Sequence, residues 1–212
     1  MADLIFYTNP QSRGQTVRWM LEEVGAPYDT EILDYASTMK AEPYLSINPM
    51  GKVPAIKHKG KVVTEVAAIC CYLGDAFPEA GLAPPPADRA DYYRWIFFTS
   101  GPVEAAFSNR AAGWEPTPER QRMFGYGNYD LCIDTFEKAL AGKEYIAADF
   151  FTAADLFVGA NVNFMLAFNL LEPRPAFVDY ARRMTDRDAY RRAKEIDSAL
   201  IAEAQARQEQ PA

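Results

Sequence analysis

A single histidine and only three cysteines leave this 212-residue chain little material for a nucleophilic triad, a zinc site or a disulfide framework. A Ser-His or Cys-His pair would have to use His58, and Lys57-His58-Lys59-Gly60 reads as a solvated hairpin tip. Zinc sites need clustered His and Cys ligands, and with none in the sequence no metal is expected. Cys70, Cys71 and Cys132 are irregularly spaced and form no C-x-x-C, which fits a reducing compartment better than an oxidising one. No apolar run approaches the roughly 20 residues that span a bilayer. The Leu4 to Tyr7 segment behind Met1-Ala2-Asp3 is too short for a secretory leader. Positive charge is in the minority: 22 Lys plus Arg against 29 Asp plus Glu give a net charge of −7. Phosphate-backbone binding is driven by Lys and Arg, so nucleic acid is not the expected partner. These absences together lead to the expectation of a cytoplasmic protein with neither nucleic-acid nor membrane partners.

What is present is enough apolar residue, 49% of the chain, to build one large core or two small ones. Leu4-Ile5-Phe6-Tyr7 is a short strand closed by the turn cluster Thr8-Asn9-Pro10. Val17, Met20, Leu21 and Val24 then recur at helical spacing, with Ser12 as N-cap and Gly25 and Pro27 as the stop. Tyr28 to Leu33 alternates as a second strand, making a β-α-β unit. After the poorly periodic stretch Ser37 to Ile47 comes Asn48-Pro49-Met50-Gly51-Lys52-Val53-Pro54-Ala55-Ile56. Proline cannot donate to a sheet ladder, so Pro54 marks a strand start or a turn. Ala55-Ile56-Lys57 and Val62-Val63-Thr64 read as a hairpin feeding a helix that starts near Glu65. The order β-α-β-α-β-β-α over residues 3 to about 77 is the thioredoxin-like pattern, an α/β fold.

Residues 78–88, with Pro84-Pro85-Pro86, read as a semi-rigid linker. Residues 89–212 read as an all-α helical domain. One helix is expected after Asp88 as N-cap, carrying Tyr92, Trp95, Ile96, Val103 and Phe107, and another after Thr117-Pro118-Glu119. A third opens at Thr152, where Asp155 has the spacing of a capping box, and runs apolar on most sides from Leu156 to Leu171. Pro175 to about Ala206 supplies two outer helices rich in Arg and Glu, followed by a frayed polar tail.

The Asn48 to Pro54 block, Glu65 at the start of a helix and the Thr152 capping box, laid out over nearly the whole chain, resemble the soluble glutathione transferase family. The segment Ser12-Arg13-Gly14-Gln15-Thr16-Val17-Arg18-Trp19-Met20-Leu21-Glu22-Glu23 is similar to its bacterial members. The resemblance implies a glutathione-binding domain over residues 1–77, with Val53 pairing its backbone to the tripeptide and Pro54 in a cis bond. It implies that Glu65 accepts the γ-glutamyl ammonium while amides at the helix start take the carboxylate. Many relatives have Ser where this chain has Val66, so that subsite relies on backbone amides. Lys52 is placed to contact the peptide, and Lys40 to reach the glycine carboxylate. A homodimer is also implied.

Enzymes of this kind turn the glutathione thiol into a thiolate, the reactive nucleophile. Lowering a thiol by about two pH units takes roughly 2.7 kcal/mol. A hydrogen bond to a charged group supplies about 1.5–3 kcal/mol, and a helix dipole adds about 0.3–1. One hydroxyl at the start of the first helix is therefore nearly sufficient. Ser12 is the leading donor and Tyr7 its rival, with a backbone amide, Asn9 or Gln11 as further options. The electrophile is expected in a cleft between the halves, against Tyr92, Trp95, Phe98, Val103, Phe107 and Trp114. The activity implied is conjugation of glutathione to a small hydrophobic electrophile. Reductase, isomerase or dehalogenase chemistry on the same scaffold, and a non-catalytic ligand-binding module, stand as alternatives; the absence of cysteine from Asn9-Pro10-Gln11-Ser12 weighs against the reductase.

Overall fold

The computed structural model describes residues 2–209, which form two compact units, 2–81 with 187–209 and 82–186. In the first unit a four-stranded sheet has the order β2-β1-β3-β4, with β1 at Leu4–Thr8, β2 at Asp29–Ile32, β3 at Ala55–His58 and β4 at Lys61–Thr64. β1 runs parallel to β2, with Phe6 opposite Thr30, and antiparallel to β3, with Tyr7 opposite Ala55. Being internal, β1 is buried on both faces through Leu4, Phe6, Tyr7 and Thr8. The edge strand β2 stays exposed and carries Asp29 and Glu31, charges that discourage edge pairing. Helix α1 (Gly14–Val24) buries Val17, Trp19, Met20 and Leu21, and Gly25 ends it at φ 66, with its N–H on the Leu21 carbonyl. Helix α2 (Val66–Ala76) follows β4 directly. The thioredoxin-like reading of this unit is borne out.

Three local expectations change. Ser37 to Ile47 forms two 3₁₀ turns, Thr38–Lys40 and Tyr44–Ser46, instead of an α-helix. Pro43 lacks an N–H and disfavours helical backbone at Glu42, so a continuous helix cannot pass. His58 is not in a solvated tip: it closes β3 opposite Leu4 and is 5% exposed. The turn is only Lys59-Gly60, both at positive φ (48 and 79), the tight two-residue geometry that lets the strand run one residue further. There the His58 ring stacks on Phe77 at 5.4 Å, its Nδ1 lies 3.0 Å from the Tyr72 hydroxyl, and burial lowers its pKa. Finally, the stretch from residue 187 onward, grouped in the sequence reading with the helical domain, belongs to the first unit. Helix α8 (Asp188–Glu209) packs on α1, where Arg18 Nε donates to Asp197 Oδ1 at 2.7 Å with both side chains buried. The tail past residue 209 lies outside the described residues.

The second unit is helical, as expected. Helix α3 (Ala90–Phe98) passes through a π-helical turn, Thr99–Val103, into α4 (Glu104–Ala111). Pro102, which has no N–H to donate, sits inside that turn. Arg89, and not Asp88, holds the cap position of α3. No helix follows Pro118: the chain makes a short 3₁₀ turn at Gln121–Met123, and α5 begins only at Tyr129 and ends at Leu140. Gly125 and Gly127 interrupt the earlier register, and Asn128 is the effective cap, its Oδ1 accepting from Leu131 N–H at 2.8 Å. Helix α6 (Ala153–Ala167) starts with the expected capping box of Thr152 and Asp155. Asp155 also accepts from the Ile146 N–H and the Tyr180 hydroxyl, each at 2.7 Å, and burial raises its pKa in spite of these bonds. Helix α7 (Pro175–Thr185) packs so closely on α6 that a Cβ at Gly159 would lie 2.6 Å from Met184 Cβ. None of the described helices is long and apolar enough to cross a membrane.

Candidate functional site

The strand register gathers three chain segments at one end of the sheet. Tyr7 faces Ala55 and Ala55 faces Thr64, so the exit of β1, the entry of β3 and the exit of β4 are neighbours. Those positions deliver the Asn9–Arg13 loop ahead of α1, the Val53–Pro54 pair, and Glu65 ahead of α2. Two helix N-termini therefore start from the same edge, and the first amides of a helix have no intrahelical acceptor. The expected conformation at Val53–Pro54 is present: the bond is cis. A second cis bond, Glu42–Pro43, carried no signal in the sequence.

Ser12 lies two residues before α1, whose cap position is held by Arg13 and not by Ser12 as expected, because the turn from Asn9 continues one residue further before the helix begins. Ser12 Oγ donates to the Asn9 carbonyl at 2.7 Å and accepts from the Gly14 N–H at 2.9 Å. The Asn9 side chain in turn donates to the Leu33 carbonyl at 2.9 Å and accepts from the Gln11 N–H at 3.0 Å, fixing the loop to the end of β2. Tyr7 lies in a small core with Leu33, Met39, Tyr44 and Ala55, its ring 5.6 Å from that of Tyr44. Burial, with Glu31 nearby, raises the Tyr7 pKa, so its hydroxyl stays protonated.

The segment before Val53 is held by residues that the sequence reading did not assign to the site. Tyr44 donates its hydroxyl to the Lys52 carbonyl, and Asn48 Nδ2 donates to the same oxygen at 2.8 Å. Tyr44 is the sole Tyr, Phe or Trp between Tyr35 and Tyr72, which was the available signal. Gly51 turns at φ 57, and a Cβ there would meet the Met39 carbonyl at 2.9 Å. The Lys40 ammonium donates to the Gly51 carbonyl and, at 3.5 Å, to that of Met50. The Lys52 side chain is exposed.

Glu65 occupies the cap position of α2 at φ 66, ψ 120, exposed and making no side-chain capping bond. Positive φ in a residue with a long side chain stores about 1–3 kcal/mol, and such strain concentrates at binding sites. Val66 is the first helical residue and half-buried. The six residues expected to contact an electrophile all lie in the helical unit. Tyr92, Trp95, Val103 and Phe107 are buried, Phe98 is half-buried against Trp95 at 5.6 Å, and Trp114 is 43% exposed beside Phe124. No group of three or more His, Cys, Asp or Glu able to hold a metal occurs among the described residues.

Residues 12–76 match the family described as "Glutathione S-transferase, N-terminal domain". Protein LigF of Sphingobium sp. (strain NBRC 103272 / SYK-6) is 29% identical over 181 residues, covering 66% of this chain and 67% of that protein. The crystal structure of a glutathione transferase from Methylococcus capsulatus str. Bath is 25% identical with a TM-score of 0.75, covering 92% of this chain and 99% of that one. A glutathione transferase homolog from Sulfitobacter, solved with bound glutathione, is 24% identical with a TM-score of 0.72, covering 92% and 98%. The matched segment holds Ser12, the cis Val53–Pro54 pair and Glu65, and the likeness in fold extends over both units. Over residues 12–76 the chain matches the glutathione S-transferase N-terminal domain, and its fold is similar to that of glutathione transferases.

Proposed function

We propose that the protein binds glutathione at the shared edge of the sheet in its first unit, ionises the thiol and transfers the thiolate to a small hydrophobic electrophile. The observation that carries this reading is the convergence of Ser12, the cis Val53–Pro54 pair and the strained Glu65 where two helices begin. Val53 offers its backbone to the extended tripeptide, entering it as an added strand. Glu65 accepts the γ-glutamyl ammonium, and the first amides of α2, from Val66 on, receive the adjacent carboxylate, which the helix terminus favours. Lys52 supplies a positive charge along the peptide. Lys40 has one of its three N–H donors left for the glycine carboxylate.

The thiol loses its proton to solvent, the Ser12 hydroxyl turns from the Asn9 carbonyl to donate to the sulfur, and the thiolate attacks the electrophilic carbon. A C–S bond forms and the leaving group departs with its electron pair. The turn costs a neutral hydrogen bond, about 1 kcal/mol net, and gains one to a charged acceptor, about 1.5–3. The exchange therefore favours the thiolate. Glutathione bound in the Sulfitobacter homolog supports the co-substrate. The test is turnover of chlorodinitrobenzene with glutathione, read as thioether absorbance: saturable turnover supports the transferase, and glutathione uptake with no thioether assigns a binding module.

A further inference from the structure

The carbonyl that holds the Ser12 hydroxyl serves more donors than it has lone pairs. Ser12 Oγ donates to the Asn9 carbonyl at 2.7 Å, the Ser12 N–H donates to it at 3.0 Å, and the Thr8 hydroxyl donates to it at 3.3 Å. A carbonyl oxygen has two lone pairs, so the three compete. We infer that Thr8 is a positioning residue, whose hydroxyl takes up the Asn9 carbonyl as the Ser12 hydroxyl turns to the sulfur, so that the turn strips no partner from a buried acceptor. The inference rests on the glutathione reading above and adds to Ser12 the residue that lets it go.

The fold sets Thr8 in place for this. It ends β1 fully buried, and the Leu33 N–H fixes its backbone by donating to its carbonyl at 2.8 Å. Asn9 is buried as well, and its side chain is bound at both ends, Nδ2 to the Leu33 carbonyl and Oδ1 to the Gln11 N–H, which holds the residue and the direction of its carbonyl. Glycine opens the space on the helix side. A Cβ at Gly14 would overlap Thr8 Oγ1 and lie 2.9 Å from Ser12 Oγ, so a residue without one lets both hydroxyls gather at the first turn of α1. Ser12 Oγ stays where it is during the turn, still accepting from the Gly14 N–H, and only its hydrogen changes direction. Each hydroxyl keeps its own proton. Once the Ser12 hydrogen has left, the Asn9 oxygen retains the Ser12 N–H and the Thr8 hydroxyl, two donors for two lone pairs. Without the Thr8 hydroxyl the same turn would leave a buried carbonyl short of a partner, a state that burial penalises.

The test removes the hydroxyl and keeps the shape. In the full-length protein, Thr8→Val should raise the pKa of bound glutathione, read by ultraviolet titration, by about 0.5–1 pH unit, the equivalent of one neutral hydrogen bond. At saturating glutathione, the pH profile of kcat/KM for chlorodinitrobenzene should move by the same amount. Thr8→Ala, which also lacks the hydroxyl and cannot overpack, should give the same shift, and Thr8→Ser should restore the value of the unmutated protein. Added to Ser12→Ala, Thr8→Val should change the thiol pKa no further, because Thr8 acts through Ser12. An unchanged thiol pKa in Thr8→Val and Thr8→Ala with glutathione uptake intact, an equal shift in Thr8→Ser, or a shift that persists in the Ser12→Ala background each overturns the role of Thr8 and leaves the proposed function standing. No shift in Ser12→Ala itself overturns Ser12 as the donor, and the role of Thr8 with it. No glutathione uptake by the unmutated protein overturns the proposed function.

Discussion

Ser12 Oγ donates to the Asn9 carbonyl at 2.7 Å, so the hydroxyl at the mouth of α1 is held ready with its proton already directed at an acceptor. Ser12→Ala should raise the pKa of bound glutathione by about 1–2 pH units, the equivalent of a hydrogen bond to a charged group. It should also cost about 1 kcal/mol of stability, because the Gly14 N–H loses its acceptor. Ultraviolet titration of the thiolate reads the first effect and thermal melting the second. An unchanged thiol pKa would transfer the role to Tyr7 or to a loop amide.

At Glu65 the backbone and the side chain make opposite demands. Glycine adopts φ 66 without strain, so Glu65→Gly should leave thermal stability equal or higher. It should nevertheless weaken glutathione binding by about 10- to 150-fold, the loss of a charged hydrogen bond of about 1.5–3 kcal/mol. Paired melting and calorimetry separate the two effects. Weaker binding together with a lower melting temperature would indicate that Glu65 is structural.

Arg18 and Asp197 form a buried pair with a single short bond, and Arg18 Nη2 and Asp197 Oδ2 have no partner among the described residues. Burial raises the Asp197 pKa even though Arg18 opposes the shift. Removing one partner leaves an uncompensated charge, so Asp197→Ala should cost about 3–5 kcal/mol. At about 2–4 °C per kcal/mol for a chain of this size, the fall in melting temperature is readily measured. The double replacement Arg18→Met with Asp197→Leu should recover most of that loss. If it does not, the pair contributes more than mutual neutralisation.

Two tyrosines predict an alkaline limit. Burial, then the hydrogen bond to Glu22, pushes Tyr28 up to about 12; burial does the same for Tyr44, also to about 12. Unfolded tyrosine ionises near 10, so each contributes stability that is fully present below about pH 10 and is lost as pH rises toward 12. Melting temperature should therefore fall steeply between those values. Tyr28→Phe and Tyr44→Phe should each flatten that slope. Tyr44→Phe should also raise the KM for glutathione, because the Lys52 carbonyl ahead of Val53 loses a donor.

The sequence disclosed what short-range patterns encode. Proline before an apolar strand, the Thr152–Asp155 spacing and the helical period in α1 all led to the elements observed. It concealed what depends on distant pairing. His58 looked solvated because a polar, basic neighbourhood hides a two-residue turn that extends β3 over it. Nothing near Arg18 in the chain signalled its burial, since its partner lies 179 residues away. For the same reason the packing of α8 on α1 could not be read locally: Asp197, Leu200 and Ile201 resemble any amphipathic terminal helix. Tyr44 and Asn48 were visible as residues, but their shared acceptor, the Lys52 carbonyl, exists only in the folded loop.

The central claim is that the sheet edge holding Ser12, Val53, Pro54 and Glu65 captures glutathione and makes its sulfur anionic. Calorimetric titration of the full-length protein with glutathione across a series of pH values tests both parts at once. The account predicts saturable binding tighter than about 1 mM, equivalent to about −4.1 kcal/mol, with proton release that sets in below the pKa of the free thiol. No heat of binding at millimolar glutathione, or binding without proton release, would contradict it.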